Sequence, residues 1–150
     1  MRVSTKFTMA VHLLACVVSF DGKVTSEFMA GSIGTNPVVV RQLLQKLKAA
    51  GLVEVTRGTG GVRMARSAGD VTLLDVYRAV ESEQGLFGFH PNPNPKCPVG
   101  RSIHRALDDR LEAAQRAFER ELAATKLADV LADIPQGLPL PASPDSTPNP

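Results

Sequence analysis

Arg41, Gln42 and Gln45 share one side of a segment whose other side is apolar. Val40, Leu43, Leu44 and Leu47 repeat there at i, i+3, i+4 and i+7, the spacing of a helix face turned to a core. Val38 joins the polar side, and Lys46 and Lys48 flank it. Arginine and glutamine carry paired hydrogen-bonding groups that match guanine and adenine edges in a major groove. Thr35 and Asn36 precede this helix, where a side-chain oxygen and open N–H groups suit a phosphate. An ordinary amphipathic helix with a solvated face explains the same residues. Downstream, Arg57, Arg63 and Arg66 surround the tip Gly58-Thr59-Gly60-Gly61. Glycine lets backbone turn tightly and approach a sugar-phosphate chain. Arginine can enter a narrow, electronegative minor groove. The tip lacks the GK[ST] ending of a nucleotide-binding loop and does not open onto a helix.

A second constellation is Cys97 with His90 and His104; Cys16 and His12 stand apart near the start. Lys96 precedes Cys97 and a helix start follows, and both lower a thiol pKa. Such a thiolate can respond to oxidants through sulfenic acid. A single thiol with two incidental histidines explains the set equally. Cys97 and His90 could also act as nucleophile and base, but no orienting group or oxyanion site accompanies them. Cys16 lies among Leu13, Leu14, Val17 and Val18 and reads as an inert core thiol.

Helices and one hairpin must position these groups. Ser4 reads as the cap of a first helix running to about Phe20, closed by Asp21-Gly22. Thr25 or Ser26 caps a short second helix ending at Gly31 or Gly34. Asn36-Pro37 opens a third helix, Pro37 to Ala50, stopped by Gly51. Leu52–Thr56 and Val62–Met64 read as strands around the glycine tip. Thr72 and Asp75 form a capping box opening a fourth helix that fades near Gly85. Residues 86–100 form an irregular loop, because Pro91, Pro93 and Pro95 forbid helix and central strand. A long helix spans Arg101 to about Ala124. Its apolar stripe Ile103, Leu107, Leu111, Ala114, Phe118 and Leu122 is narrow and nearly heptad-like, as a helix–helix seam would be. Thr125 reads as the cap of a last short helix ending before Pro135. Six prolines with Ser, Thr and Asn mark residues 135–150 as a disordered tail.

The expected organisation is mainly α. A winged helix-turn-helix covers residues 1–66, and a connecting helix and Pro-rich sensor loop cover 67–100. The dimerisation helix and last short helix occupy 101–134, and the tail follows. The net charge of +2 is uneven. Residues 1–66 hold 9 Lys/Arg against 3 Asp/Glu, and residues 67–150 hold 8 against 12. The basic half is the half with the candidate DNA face, which suits a polyanion. No apolar run nears the ~18 residues of a membrane helix. The first twenty residues carry His12 and lack a small-x-small cleavage site, so they read as structure. Two distant cysteines without a secretory signal suit a reducing cytoplasm.

The combined motifs resemble the Rrf2 family of bacterial winged-helix transcriptional regulators. The residues that carry the resemblance are Ser4-Thr5-Lys6, the run from Asn36 to Arg41, the run from Leu47 to Val53, and Arg57-Gly58-Thr59-Gly60-Gly61. Val71–Tyr77 and Cys97-Pro98-Val99-Gly100 add to them, so it covers about residues 1–134. It implies a non-enzymatic regulator, a repressor by expectation. It also implies a homodimer joined through the long helix on a roughly palindromic double-stranded DNA operator. Several relatives hold an iron–sulfur cluster on three closely spaced cysteines in the loop before that helix. This chain has only Cys97 there, which resembles the cluster-free branch and implies neither cofactor nor metal. In a cluster-holding reading, His90 and His104 would join Cys97 as ligands. The loop would equally suit a small molecule or a partner protein as effector, and the winged helix could serve protein docking alone.

Overall fold

The computed structural model describes residues 3–56, 61–81, 85–137 and 139. The elements in chain order are α1 (Lys6–Ser19), α2 (Ser26–Ile33), α3 (Pro37–Ala49), β1 (Val53–Val55) and β2 (Val62–Met64). They are followed by α4 (Leu73–Val80), α5 (Pro98–Ala124) and α6 (Leu127–Leu131). The strands pair antiparallel with Val53 opposite Met64, Glu54 opposite Arg63 and Val55 opposite Val62. The result is a mainly helical fold with a small wing and a long C-terminal helix.

α1 is the central helix. Its second half is buried almost all round, at Leu13, Leu14, Ala15, Cys16, Val17 and Ser19. Such a helix must be enclosed on several sides. It touches α2, α3, α4 and β2. α3 adds Val40, Leu43, Leu44 and Leu47, the face expected from its spacing. Each fully buried aliphatic chain contributes roughly 1.5–3 kcal/mol, so these four fix the roll of α3 and hence which residues point outward.

Local chemistry sets the ends. Thr25 Oγ1 accepts from the Phe28 N–H at 3.0 Å. Asn36 Oδ1 accepts from the Val39 N–H at 3.1 Å, and Pro37 occupies the first helical position. Thr72 Oγ1 accepts from the Asp75 N–H while the Asp75 carboxylate accepts from the Thr72 N–H. The α2–α3 turn depends on Gly34, whose φ of +83° closes α2 in the left-handed region. Gly22 has φ +71°, and a Cβ there would stand 2.5 Å from the Val62 carbonyl oxygen. The end of α1 can therefore lie flush on β2, which ties the wing to the core.

Several boundaries differ from expectation. Thr5, not Ser4, is the residue before α1. Ser4 donates instead to the Glu81 carboxylate at 2.7 Å, and the same oxygen accepts from the Phe7 N–H at 3.2 Å. α4 stops at Val80, ahead of Gly85. α5 begins at Pro98 rather than Arg101, with Cys97 at the cap position, because proline costs nothing in a first turn. Lys126 rather than Thr125 precedes α6, and its N–H donates to Asp129 at 2.8 Å. The Thr125 hydroxyl turns back to the Glu121 carbonyl.

α6 returns to the core built by α1 and α3. The Leu127 N–H donates to the Val71 carbonyl at 2.8 Å and the Ala128 N–H to Ala68 at 3.0 Å. Leu127 and Leu131 are buried in the same core as α1 and α3. α5 has no fully buried residue. It leans on α4 through Phe118 and Tyr77, whose ring centroids are 5.2 Å apart, and Tyr77 meets Phe7 of α1 at 5.7 Å.

Candidate nucleic-acid interface

α2, the three-residue turn Gly34-Thr35-Asn36 and α3 form a helix-turn-helix. Asn36 caps α3 with its side chain, and the Thr35 N–H bonds the Ala30 carbonyl at 2.9 Å. Both residues are therefore committed first to shaping the turn. With Val40 and Leu47 fully buried, the outer face of α3 presents Val38, Arg41, Gln42, Gln45 and Lys48 to solvent. Val38 is 58% exposed at the N-terminal end of the helix. An apolar side chain left there suits contact with a thymine methyl. Gln42 and Gln45 make no side-chain hydrogen bond among the described residues, so their amides are free. Shallow hollows border this face. Lys6, Val39 and Gln42 line one, and Ser26, Arg41, Lys48 and Val55 line the other.

The cations are arranged less simply. Arg41 makes a 2.9 Å pair with Glu27 of α2, with both side chains more than half exposed. Such a pair is worth at most about 1 kcal/mol, so a base or phosphate can displace the carboxylate. Arg63 grips Glu54 across the hairpin with Nε at 2.7 Å and Nη2 at 2.6 Å, and its side chain is 75% exposed. Lys46, exposed at the same hollow as Gln42 and Gln45, donates to the Val80 carbonyl at 3.4 Å and so links α3 to the end of α4. A cation there also suits the negative end of the α4 dipole. Arg66 reaches the Asp70 carbonyl at 2.6 Å and the Asp75 carboxylate at 3.8 Å, and so docks on the start of α4 rather than the wing tip. Arg57 and Thr59 lie outside the described residues.

The α5 stripe is divided. Ile103, Leu107, Leu111, Phe118 and Leu122 are half-buried and Ala114 is exposed. Phe118 is used within the chain against Tyr77, and Leu111 borders a hollow with Phe87 and Phe89 of the preceding loop. Ile103, Leu107, Ala114 and Leu122, none of them in the core, form the more open part of the stripe.

In the loop, Cys97 is fully exposed at the start of α5. Its thiol lies below the ordinary value, chiefly because the Gly100 and then the Val99 N–H groups point toward the sulfur. Neither makes a cap hydrogen bond of full geometry. His90 and His104 do come together, with ring centroids 5.1 Å apart, and Phe89 lies 4.5 Å from His104. The His104 Nε2 is buried with no hydrogen-bond partner among the described residues. Among the described residues no group of three His, Cys, Asp or Glu side chains converges, so Cys97 does not join the histidines as a ligand set.

Sequence reasoning missed a polar cluster on α1. The Cys16 Sγ donates to Ser32 Oγ at 3.6 Å, and Ser32 Oγ lies 2.9 Å from His12 Nε2. Burial raises the Cys16 thiol, and the Ser32 bond only partly offsets this. The available signal was the spacing of His12, Cys16 and Ser19, which share one helical face.

Known proteins share this architecture. The family described as Rrf2, iron-dependent transcriptional regulator, matches residues 3–133. The chain is 44% identical over 129 residues to YwnA of Bacillus subtilis (strain 168), assigned as an HTH-type transcriptional regulator. That match covers 86% of this chain and 96% of YwnA. A crystallised protein assigned as DNA-binding is 41% identical with a TM-score of 0.70, covering 84% of this chain and 98% of that one. The structure of T. potens IscR is 27% identical with a TM-score of 0.61, over 91% and 94% of the two chains. The chain therefore belongs to the Rrf2 family and is a DNA-binding transcriptional regulator rather than an enzyme.

Proposed function

We propose that this regulator works as a homodimer that represses by occupying a two-fold operator. The observation that carries the reading is the two-sided α3, with one face wholly in the core and the other exposing Val38, Arg41, Gln42 and Gln45. Val38, Arg41, Gln42 and Gln45 read base edges. Thr35 and Asn36 bring the helix start to a phosphate, while Lys48 adds general attraction along the backbone. The wing, with Arg57, Thr59 and Arg63, follows the adjacent minor groove once Arg63 leaves Glu54. Lys46 contributes by holding α3 in place.

The open part of the α5 stripe pairs with its counterpart across the two-fold axis, which sets the separation of the two α3 helices. Half-sites one turn apart are about 34–36 Å from centre to centre, so small shifts of α5 change affinity. In this reading, oxidation of Cys97, at the head of α5, imposes such a shift. An iron site does not fit this donor set. The loop has one thiolate donor, Cys16 is bonded to Ser32, and the paired histidines meet edge to face. The regulator therefore acts without a bound cluster. The test is selection of bound sequences from random DNA, followed by titration of the selected site at several salt concentrations. A two-fold consensus with binding that weakens steeply in salt supports the reading. Salt-insensitive binding with no consensus refutes it.

A further inference from the structure

His12, Cys16 and Ser19 follow one another along one face of α1, opposite Ser32 of α2. With Phe20 and Ile134 they line a cavity of about 210 Å³. We propose that this cavity is a covalent modification site, in which the Cys16 sulfur adds to a small, uncharged α,β-unsaturated carbonyl compound.

Three observations carry the proposal. First, Cys16, Ser32 and His12 form a hydrogen-bonded chain of 3.6 and 2.9 Å. With His12 neutral and Nε2 accepting, the thiol proton passes to Ser32 as the Ser32 proton passes to His12. Second, Ser19 is 7% exposed, and its hydroxyl has no hydrogen-bond partner among the described residues. A buried hydroxyl without a partner is costly, and a carbonyl oxygen in the cavity would satisfy it. Third, the lining holds no Lys, Arg, Asp or Glu and is otherwise apolar. That selects an uncharged compound, and the space equals about seven waters.

The step balances without an oxidant. The sulfur forms a bond to the β carbon, and the alkene electron pair moves to give an enolate whose oxygen accepts from Ser19. The proton held on His12 returns through Ser32 to the α carbon, leaving a neutral thioether and a reset histidine. Nothing leaves. Burial pushes the Cys16 thiol up, which keeps the resting sulfur protonated and spares it from unselective reagents. Ser32 stands just before the Gly34-Thr35-Asn36 turn, so an adduct would act on the anchor of the helix-turn-helix itself.

The test uses the Cys97→Ser protein, in which Cys16 is the sole thiol, treated with methyl vinyl ketone near neutral pH. Intact mass and peptide mapping should show one adduct, on Cys16, in the folded protein. His12→Gln in the same background alters an exposed side chain and should slow the addition by about a hundredfold, the low end of what a positioned base contributes. Circular dichroism verifies that this variant is folded. A maleimide carrying a bulky dye should label Cys97 in the wild type and leave native Cys16 untouched. Modification of Cys16 only in denaturant overturns the proposal. So does an unchanged rate in His12→Gln, and so does labelling of Cys16 by the bulky reagent at the rate of the small one.

Discussion

Leu107→Asp should convert the regulator to a monomer without unfolding it. Leu107 sits on the open part of the α5 stripe, half-buried and outside the core. Leu111 is a less clean choice, because it also borders the hollow under Phe87 and Phe89. A two-fold interface carries every substitution twice. Fully burying an exposed leucine contributes roughly 1.5–3 kcal/mol, but Leu107 is already half-buried in the single chain, so the two missing side chains cost the dimer only about 1–2 kcal/mol. That is about one decade in dissociation constant. Drawing two carboxylates out of water adds to the loss. Sedimentation velocity over a wide protein concentration range reads the shift, with circular dichroism to verify the helical fold. The variant should sediment as a folded monomer where the wild type is a dimer. If it remains a dimer at the same concentrations, the seam lies elsewhere on the molecule and the two-fold operator argument loses its geometry.

Leu127→Ala should cost about 2–5 kcal/mol in denaturant unfolding, as for any fully buried leucine; a negligible change would show that α6 is not part of the core. Glu54→Gln breaks the Arg63 pair and, because both side chains are well exposed, should change stability by less than about 1 kcal/mol. Removing the cation instead, in Arg63→Ala, should lower the salt dependence of DNA binding by about one unit of slope, and an unchanged slope would leave Arg63 off the DNA. Alkylation of Cys97 should have its pH midpoint below that of a free cysteine, since its thiol is lowered by the helix-start N–H groups. A pH–rate profile with peptide mapping measures it, and a midpoint at or above the free value contradicts the sulfur's placement. Peroxide should weaken operator binding by the wild type and not by Cys97→Ser.

Much of this fold was legible because its signals are local. Asn36-Pro37 and Thr72 with Asp75 act within one turn, and both behave as their sequence implies. The buried face of α3 follows from spacing alone. The start of α5 was misplaced because the run of prolines before it masked Pro98, which is tolerated as a first helical residue. What was not legible involves partners far apart in sequence. Arg41 and Lys46 are both exposed cations of α3, but neither residue type nor spacing names their partners, which are Glu27 of α2 for one and the Val80 carbonyl of α4 for the other. Arg66 reads as part of the wing but belongs to the α4 cap. Cys16 sits in an apolar run and reads as inert; His12 precedes it by one turn on the same face, but only the packing of α2 against α1 supplies the Ser32 that links the two.

If the exposed face of α3 reads sequence, Gln42 must discriminate between operator and random DNA. Its side chain is exposed and makes no hydrogen bond among the described residues, so removing it should leave the fold intact. The measurement is a paired titration of wild type and Gln42→Ala on the selected operator and on random DNA at one salt concentration. The account predicts a loss of about 1–3 kcal/mol on the operator alone, with binding to random DNA nearly unchanged. Equal losses on both would contradict it, and would reduce Gln42 to a support for the helix.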